Sequence, residues 1–278
     1  MPRPSAETSH KFRRRLTTAE IVRRLRKVHG AVHPPRDLDP LGELIFTILS
    51  QSTADANSYP AYQALTDRFP SWNAVRKAPV AAIAQTIRRA GLSNQKAPRI
   101  KRILNQIYRE RRRLSLEHLA EMTDAEATSY LMSFVGVGPK TAACVLLFAC
   151  ARPVLPVDTH VHRLGQRLGL IGPRVGANQA HALLQAQVAD RHVLDFHVLL
   201  VRHGRTICKA LRPRCKQCVL LSGCPTGKEL IASGLTAAEE PRAVRTRDAK
   251  SLMPHVPPRK GSPIKPKRSG GGPGPPIS

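Results

Sequence analysis

Apolar residues recur three and four positions apart through the middle of this chain. That spacing places them on one face of an α-helix, which must then be buried against another element. No run of residues alternates between apolar and polar as a half-buried strand does. The pattern therefore predicts an all-α fold, built from short helices with short connections. The two clearest stripes are Leu41, Leu44, Ile45, Ile48 and Leu49, and Ile100, Ile103, Leu104, Ile107 and Tyr108.

The charge of the chain is strongly one-sided, with 45 Lys and Arg against 19 Asp and Glu, a net charge of +26. Both ends are basic, but residues 38–240 carry an excess of cations as well. A basic body with basic ends indicates a polyanionic partner, most simply nucleic acid. The chain has only one Trp, four Tyr and six Phe, whereas single-strand binding depends on aromatic stacking. The composition therefore favours backbone contacts to a duplex.

The length of the apolar runs excludes other classes of protein. The longest run, residues 142–151, has ten residues, about half of the roughly 20 that a membrane helix needs. The N-terminus is basic but lacks the apolar segment of a signal peptide. We therefore expect neither an integral membrane protein nor a secreted disulfide scaffold. The expected location is the cytoplasm, at the nucleoid if the source is bacterial.

Residues 134–142 read as a tight turn between two helices. A capping box of Thr123 and Glu126 starts the first helix. Gly136 and Gly138 permit the turn, and Pro139 suits the first position of the second helix. A helix that begins this way presents its amides and positive dipole end to phosphate. Lys140 then lies in its first turn, where it could act as a nucleophile or contact phosphate, and the hairpin alone favours phosphate contact.

Asp158 precedes a further helical stripe and fits the N-cap position of that helix. A carboxylate beside a lysine nucleophile would suit a reaction that generates positive charge on a sugar. His160 and His162 are two residues apart, so they cannot share a helix face as a metal pair. They are interpreted as structural or DNA-contacting residues.

Four of the six cysteines fall in one short window with the spacing C-x6-C-x2-C-x5-C. Four thiolates this close can hold an iron–sulfur cluster or a structural zinc ion. A zinc ribbon would normally show two C-x2-C pairs, and only one is present. The same window contains several cations, so a pinned loop there would clamp a DNA backbone. The other two cysteines, Cys144 and Cys150, are expected in the core. The four in the window are Cys208, Cys215, Cys218 and Cys224.

The G-V-G-x-K hairpin, the V-D-T-H segment and the cysteine loop occur in the order that characterises one family. From about residue 20 to about 225, the chain resembles the endonuclease III family of DNA repair glycosylases. The resemblance implies two helical domains that flank a DNA cleft. One is a six-helix barrel that contains the helix-hairpin-helix, here residues 38–152. The other carries a 4Fe–4S cluster and combines residues 17–37 with 153–229. Composition adds a flexible basic arm over 1–16 and a disordered basic tail over 230–278.

The resemblance also implies roles for individual residues. Lys140 matches the family's nucleophile, and Asp158 matches its acidic partner. Leu92 resembles the residue that wedges into the base stack. The second wedge is usually Gln, but Ser52 stands there with Gln51 beside it, which bears on how the opposite strand is read. Further DNA contacts are implied for Lys96, Gly136, Gly138, His160 and Arg163, and cluster ligation for Cys208, Cys215, Cys218 and Cys224.

Two other positions depart from the family's pattern, within the hairpin itself. Val135 replaces the usual Pro, and Pro139 replaces the usual basic residue. The second change removes a side chain that could contact phosphate, although the hairpin itself should still form.

The implied function is that of a bifunctional glycosylase and AP lyase, acting as a monomer on double-stranded DNA with damaged bases or abasic sites. It would remove oxidised pyrimidines such as thymine glycol and cleave the abasic site through a lysine Schiff base. One alternative is a monofunctional mismatch glycosylase for adenine, or for thymine and uracil, although such relatives typically lack the lysine. The other alternative is a non-catalytic iron–sulfur protein that binds DNA.

Overall fold

The computed structural model describes residues 15–33 and 37–237, and every regular element within these ranges is a helix. The predicted all-α fold is therefore confirmed for this part of the chain. Short 3-10 turns separate several of the helices. The α-helices are α1 (Thr18–His29), α2 (Pro40–Ser50), α3 (Asp55–Arg68), α4 (Trp72–Lys77), α5 (Val80–Thr86), α6 (Ser93–Arg111), α7 (Asp124–Met132), α8 (Pro139–Phe148), α9 (Thr159–Arg167), α10 (Ala177–Gln185), α11 (Val193–Thr206) and α12 (Pro225–Ala232).

Side-chain caps set the starts of several helices. The predicted capping box precedes α7: the amide of Thr123 donates to Glu126 Oε2 at 2.8 Å, and the amide of Glu126 donates back to Thr123 Oγ1. Asp39 caps α2, where its Oδ1 accepts from the amides of Leu41 and Gly42. Each such cap stabilises its helix by roughly 1 kcal/mol. The helices therefore begin where short side chains satisfy the first amides.

The apolar stripes form the interior, as their spacing predicts. All five apolar residues of the α2 stripe are fully buried, and so are the four aliphatic residues of the α6 stripe. Tyr108, the fifth member of the α6 stripe, instead packs its ring under the Arg76 guanidinium. Although α2 is buried along most of its length, no helix in the described ranges is long and apolar enough to cross a membrane.

Buried apolar residues form two clusters. The first lies between Leu38 and Leu146 and draws on α2 to α8. The second combines Leu16 and α1 with residues from Cys144 to Cys224. The first described residues therefore belong to the second cluster, the following helices form the first cluster, and the later helices return to the second.

Helix α8 is shared by both clusters. Ala142, Val145 and Leu146 pack into the first cluster, whereas Leu147 and Phe148 pack into the second. An ion pair adds a further link, because Arg205 at the end of α11 lies 2.5 Å from the Asp55 carboxylate at the start of α3. The first turn of α8, which carries Lys140, is consequently held at the junction of the two clusters.

Folded structure within the described ranges extends beyond the boundaries predicted for the arm and the tail. Leu16, expected in a flexible arm, is buried in the second cluster, and Arg15 donates to the Gly169 carbonyl. At the other end α12 continues to Ala232, and the amide of Ala237 donates to the Pro213 carbonyl. Apolar burial at 16 and helix continuation at 230 explain these corrections. The rest of the predicted arm and tail, 1–14 and 238–278, lies outside the described residues.

Candidate active site and cysteine cavity

The hairpin forms as predicted, between α7 and α8. Gly136 has φ +75°, a conformation that favours glycine, and a Cβ there would overlap the Arg99 side chain. Gly138 is the N-cap residue of α8 and has no side chain that could cap the helix. Pro139 follows as its first residue. The N-terminus of α8 therefore presents backbone amides and a positive dipole end, which suits a phosphate group.

Lys140 and Asp158 are brought into electrostatic contact by the fold. Lys140 is half-buried in the first turn of α8, and its charge is felt at the Asp158 carboxylate. Asp158 is the N-cap of α9, as predicted, with Oδ1 accepting from the amides of His160 at 2.9 Å and Val161 at 2.8 Å. Both capping bonds end on the same oxygen. Asp158 thus combines a structural role with a place beside the candidate nucleophile.

The environment keeps Asp158 ionised. Burial by itself raises its pKa, but the charge of His197 lowers it, followed by the amide of Val161. The charges of His160 and Lys140 act in the same direction, so the pKa of Asp158 lies below its ordinary value. A carboxylate that stays charged at neutral pH can stabilise positive charge close to it.

Two histidines near this pair escaped the sequence analysis. His197 on α11 is buried, and its Nδ1 donates to the Pro156 carbonyl at 2.8 Å. His181 on α10 likewise lies 3.2 Å from the Leu155 carbonyl, and burial, with a further contribution from Lys140, lowers its pKa. Neither residue lies in a motif, because each reaches the site from a helix that is distant in sequence. Only the packing of α10 and α11 against residues 155–158 reveals them.

The predicted wedge residues lie at the surface. Leu92 is 51% exposed and adopts φ +48° immediately before α6. Ser52 is exposed with φ +52° in the turn after α2. Gln51 instead faces the hairpin: its Nε2 lies 3.3 Å from the Gly136 carbonyl and 3.2 Å from Thr141 Oγ1, and Arg99 donates to its Oε1. The side-chain amide of Gln51 therefore bonds to the hairpin and stabilises it.

Two of the predicted DNA contacts are corrected by the structure. Lys96 is only 2% exposed, and its ammonium donates to three oxygens inside the protein. Arg163 donates to the carbonyls of Cys208 and Gly204, and its Nη2 lies 3.1 Å from His160 Nδ1. Because α9 packs against α11, the guanidinium of the half-buried Arg163 reaches the cysteine loop and contacts His160 on the way. The side chains of Lys96 and Arg163 are thus committed to the protein's own carbonyls.

The four predicted ligands line one cavity, here called the cysteine cavity, together with apolar side chains and Arg167 and Arg214. Their sulfurs also receive hydrogen bonds. Arg167 donates to Cys208 Sγ at 3.3 Å, and the amide of Gly227 donates to Cys224 Sγ at 3.3 Å. Burial, together with the charges of the neighbouring cysteines, raises the pKa of Cys218 to about 12. Cationic charge between the thiols would relieve this repulsion.

Four cysteine thiols line the cysteine cavity, and this donor set is one that an iron–sulfur cluster uses. Within the described ranges, no three His, Cys, Asp or Glu side chains converge where one metal ion could bind. Four thiolates that surround a cavity are what a cluster of several iron and sulfide atoms requires. The residues present therefore fit an iron–sulfur cluster.

A chain of two buried histidines supports this cavity from the α1 side. His203 Nε2 lies 3.2 Å from Cys218 Sγ, and its Nδ1 lies 3.1 Å from His29 Nε2. Burial lowers the pKa of His203 to about 3 and that of His29 to about 4. Both rings are therefore neutral at pH 7, so His29 can donate its Nε2–H to His203 Nδ1 while His203 donates its Nε2–H to Cys218 Sγ.

Comparison with known proteins shows which proteins this chain resembles. The family model for the HhH-GPD superfamily of base excision DNA repair proteins matches residues 45–189. The endonuclease III of Thermotoga maritima is 34% identical over 208 residues, which cover 74% of this chain and 89% of that protein. An Arabidopsis thaliana protein classed as a candidate DNA glycosylase is 38% identical over 165 residues, 59% of this chain and 56% of that protein. This chain thus spans about half the length of the Arabidopsis relative.

Solved structures agree with the sequence relatives. A non-covalent complex of endonuclease III with DNA and a trapped covalent endonuclease III–DNA intermediate both align with a TM-score of 0.67 and 27% identity. Each alignment covers 78% of this chain and 99% of the solved chain. The hairpin, the Lys140–Asp158 pair and the cysteine cavity therefore occur on the same fold. The chain belongs to the endonuclease III family within the HhH-GPD superfamily of base excision DNA repair proteins.

Proposed function

We propose that this protein is a bifunctional DNA glycosylase and AP lyase that removes oxidised pyrimidines, such as thymine glycol, from duplex DNA. The observation that carries the proposal is Lys140 in the first turn of α8 beside the ionised Asp158. A primary amine in this place can form a covalent bond to a sugar, which a water-dependent glycosylase does not need. The trapped covalent complex of endonuclease III with DNA, on the same fold, supports this reading.

The reaction begins with a base that has left the stack, because its glycosidic bond cannot be reached inside a duplex. The amides at the start of α8 bind phosphate beside the flipped nucleotide. The neutral amine of Lys140 then attacks the sugar C1′, and the base departs with the electron pair of the C1′–N bond. Asp158 stabilises the positive charge that develops on the sugar and accepts the proton that the lysine nitrogen loses.

Strand cleavage follows from the covalent intermediate. The C1′–O4′ bond then breaks as O4′ takes the proton from Asp158, which yields an iminium ion between Lys140 and C1′ and acidifies the hydrogen on C2′. Loss of that proton breaks the C3′–O bond, and the 3′ phosphate leaves with the electron pair. Water finally hydrolyses the iminium ion and regenerates the lysine amine. The geometry of α8 and α9 supplies both groups that these steps use.

We further propose that Cys208, Cys215, Cys218 and Cys224 hold a 4Fe–4S cluster. Such a cluster would contribute structural and electrostatic support and would take no part in the bond changes above. The loop between Cys208 and Cys215 carries Lys209, Arg212 and Arg214. With the loop pinned by its cysteines, these cations can bind backbone phosphates.

A substitution in the cysteine cavity tests the cluster. We expect Cys218→Ser in the full chain to lose at least about half of the roughly four bound iron atoms and the visible absorbance of the cluster. The midpoint of thermal unfolding should fall as well, since the loop loses its central support. Iron content and absorbance of the purified protein are the measurements. Cys150→Ser is the matched control because Cys150 lies outside the cavity, and equal iron in both variants would contradict the assignment.

The substrate assignment is tested by separating base release from strand cleavage. Duplexes that contain one thymine glycol, one T·G mismatch or one A·G mismatch are incubated with the full chain. Products are resolved with and without alkali, which cleaves abasic sites chemically. We expect thymine glycol to be released and the strand to be cut without alkali. Release from a mismatch with cutting only after alkali would instead establish the monofunctional alternative.

A further inference from the structure

The two predicted wedges lie on separate turns that both adopt left-handed backbone conformations. Ser52 has φ +52° in the turn between α2 and α3, while Gly91 and Leu92 have φ +64° and +48° before α6. Residues with a side chain rarely adopt this conformation, so surrounding contacts must hold Ser52 and Leu92 there. Both side chains point to solvent. The contacts that hold them must therefore come from the backbone of the turns or from residues beneath it.

Lys96 lies beneath both turns and is bonded to each. Its Nζ donates to the Leu49 carbonyl at 2.7 Å and to Thr53 Oγ1 at 2.8 Å, which bracket the Ser52 turn. It donates at 2.9 Å to the Ala90 carbonyl, immediately before the Leu92 turn. The hydroxyl of Thr53 also donates to the Ala90 carbonyl. One ammonium group therefore uses its three N–H donors to join the two turns.

Burying the Lys96 ammonium group makes an unfavourable contribution to the free energy of folding. The three acceptors are neutral oxygens, and burial together with the charge of Arg99 lowers the pKa of Lys96 to about 8. Moving an ammonium group out of water is unfavourable unless the charge is paired and hydrogen-bonded, and the hydrogen bonds here end on neutral acceptors. A methionine at 96 would fill nearly the same space, and Thr53 would still donate to the Ala90 carbonyl. The charged group is therefore better explained by the geometry it imposes than by the stability it contributes.

We infer that Lys96 is a positioning residue that sets the spacing between the Ser52 turn and the Leu92 turn, so that both wedges enter the base stack together. This inference rests on the proposed function, since it concerns how that site opens DNA. It assigns Lys96 an indirect part in lesion recognition, in place of the direct DNA contact expected from the sequence. Lys96 has no part in phosphate binding by the hairpin or in the chemistry of Lys140.

The test compares Lys96→Met and Thr53→Val with the wild-type full chain. The probe is a duplex with one tetrahydrofuran abasic-site analogue opposite 2-aminopurine, and the reference is the same duplex without the analogue. Dissociation constants are measured for both duplexes, and 2-aminopurine fluorescence reports unstacking of the opposite base. Lys101→Met is the matched control, because Lys101 lies on the same helix and donates to the Ala78 carbonyl, away from both turns.

We expect Lys96→Met to reduce the preference for the abasic duplex by about tenfold to a hundredfold, as loss of positioning does elsewhere. The fluorescence increase should shrink, while affinity for undamaged DNA stays within about twofold. Thr53→Val should also reduce the preference for the abasic duplex. If Lys96→Met does not fold, the result for Thr53→Val tests the inference in its place. Lys101→Met should match the wild type.

Three outcomes would overturn the inference. The first is that Lys96→Met, or a folded Thr53→Val, prefers the abasic duplex as strongly as the wild type does. The bonds to the two turns would then have no part in lesion recognition. An equal loss of affinity for both duplexes would show that Lys96 supports the fold as a whole. A wild-type protein without any preference for the abasic duplex would overturn the proposed function and this inference with it.

Discussion

Replacing Lys140 with alanine is expected to abolish covalent trapping of the protein on abasic DNA by borohydride. Only an amine can form the imine that borohydride reduces, so the yield of adduct should fall at least about a thousandfold. Affinity for the same duplex should change only a few-fold, because one cation among many is lost. The measurement is a gel-resolved adduct from a duplex with one abasic site, in parallel with equilibrium binding.

The stability of Lys140→Ala provides an internal check. A cation in the first turn of α8 opposes the helix dipole by a few tenths to roughly 1 kcal/mol, but it also attracts the Asp158 carboxylate. The two effects of removing it oppose each other, so the free energy of unfolding should change by no more than about 1 kcal/mol. Lys77→Ala, an exposed lysine on α4, is the matched control and should trap like the wild type. If Lys140→Ala forms the adduct as well, another amine performs the chemistry and the assigned role is wrong.

Replacing Asp158 with asparagine should separate its two roles. Asparagine caps helices about as well as aspartate, so the free energy of unfolding should change by no more than about 1 kcal/mol. The negative charge beside Lys140 is lost, and base release should slow by about a hundredfold to a thousandfold. The rate is measured in single turnovers, so that product release does not mask the chemical step.

Asp39→Asn is the matched control for this substitution. Asp39 caps the start of α2 through the same pair of amide bonds, whereas the end of α2 that reaches the start of α8 is the opposite one, where Gln51 donates to Thr141. It should therefore show the small stability change without the loss of rate. Equal rate losses in both variants would mean that capping, rather than charge, explains the importance of Asp158.

The pH dependence of stability provides an independent test of the ionisation of Asp158 in the folded state. Because its folded pKa lies below the ordinary value, the ionised carboxylate stabilises the folded state above that ordinary value. This stabilisation is lost as the pH falls through the folded pKa. Asp158→Asn should therefore lose less stability on acidification than the wild type. Unfolding by denaturant over a series of pH values measures the difference, and parallel curves would contradict it.

Local features of the sequence predicted much of the fold and part of the site. The stripes of α2 and α6, the capping box before α7 and the cap at Asp158 depend on residues within one or two helical turns. Such interactions are decided by chain neighbours, so they can be read without the tertiary structure. The cysteine spacing is similarly local, since three short loops can bring four thiols to one cavity.

The wrong predictions and the missed residues share one cause, which is that the partners of these side chains are distant in sequence. The family resemblance implied a DNA contact for Lys96, yet the end of α2 and the turn after it supply acceptors 47 and 43 residues away in sequence. Arg163 was expected to contact DNA, but its partners come from α11 and the cysteine loop, 41 and 45 residues away. His197 and His181 carried no motif at all.

The sequence by itself determined the helices, their starts, the hairpin and the presence of four clustered cysteines, because these follow from local periodicity, caps and spacing. Only the tertiary structure decided that α8 is shared by two hydrophobic clusters and that Lys140 meets Asp158. It alone buried Lys96 beneath both wedge turns. Such pairings depend on which faces of distant helices pack together, and that choice is made by the summed burial of many apolar residues rather than by any one motif.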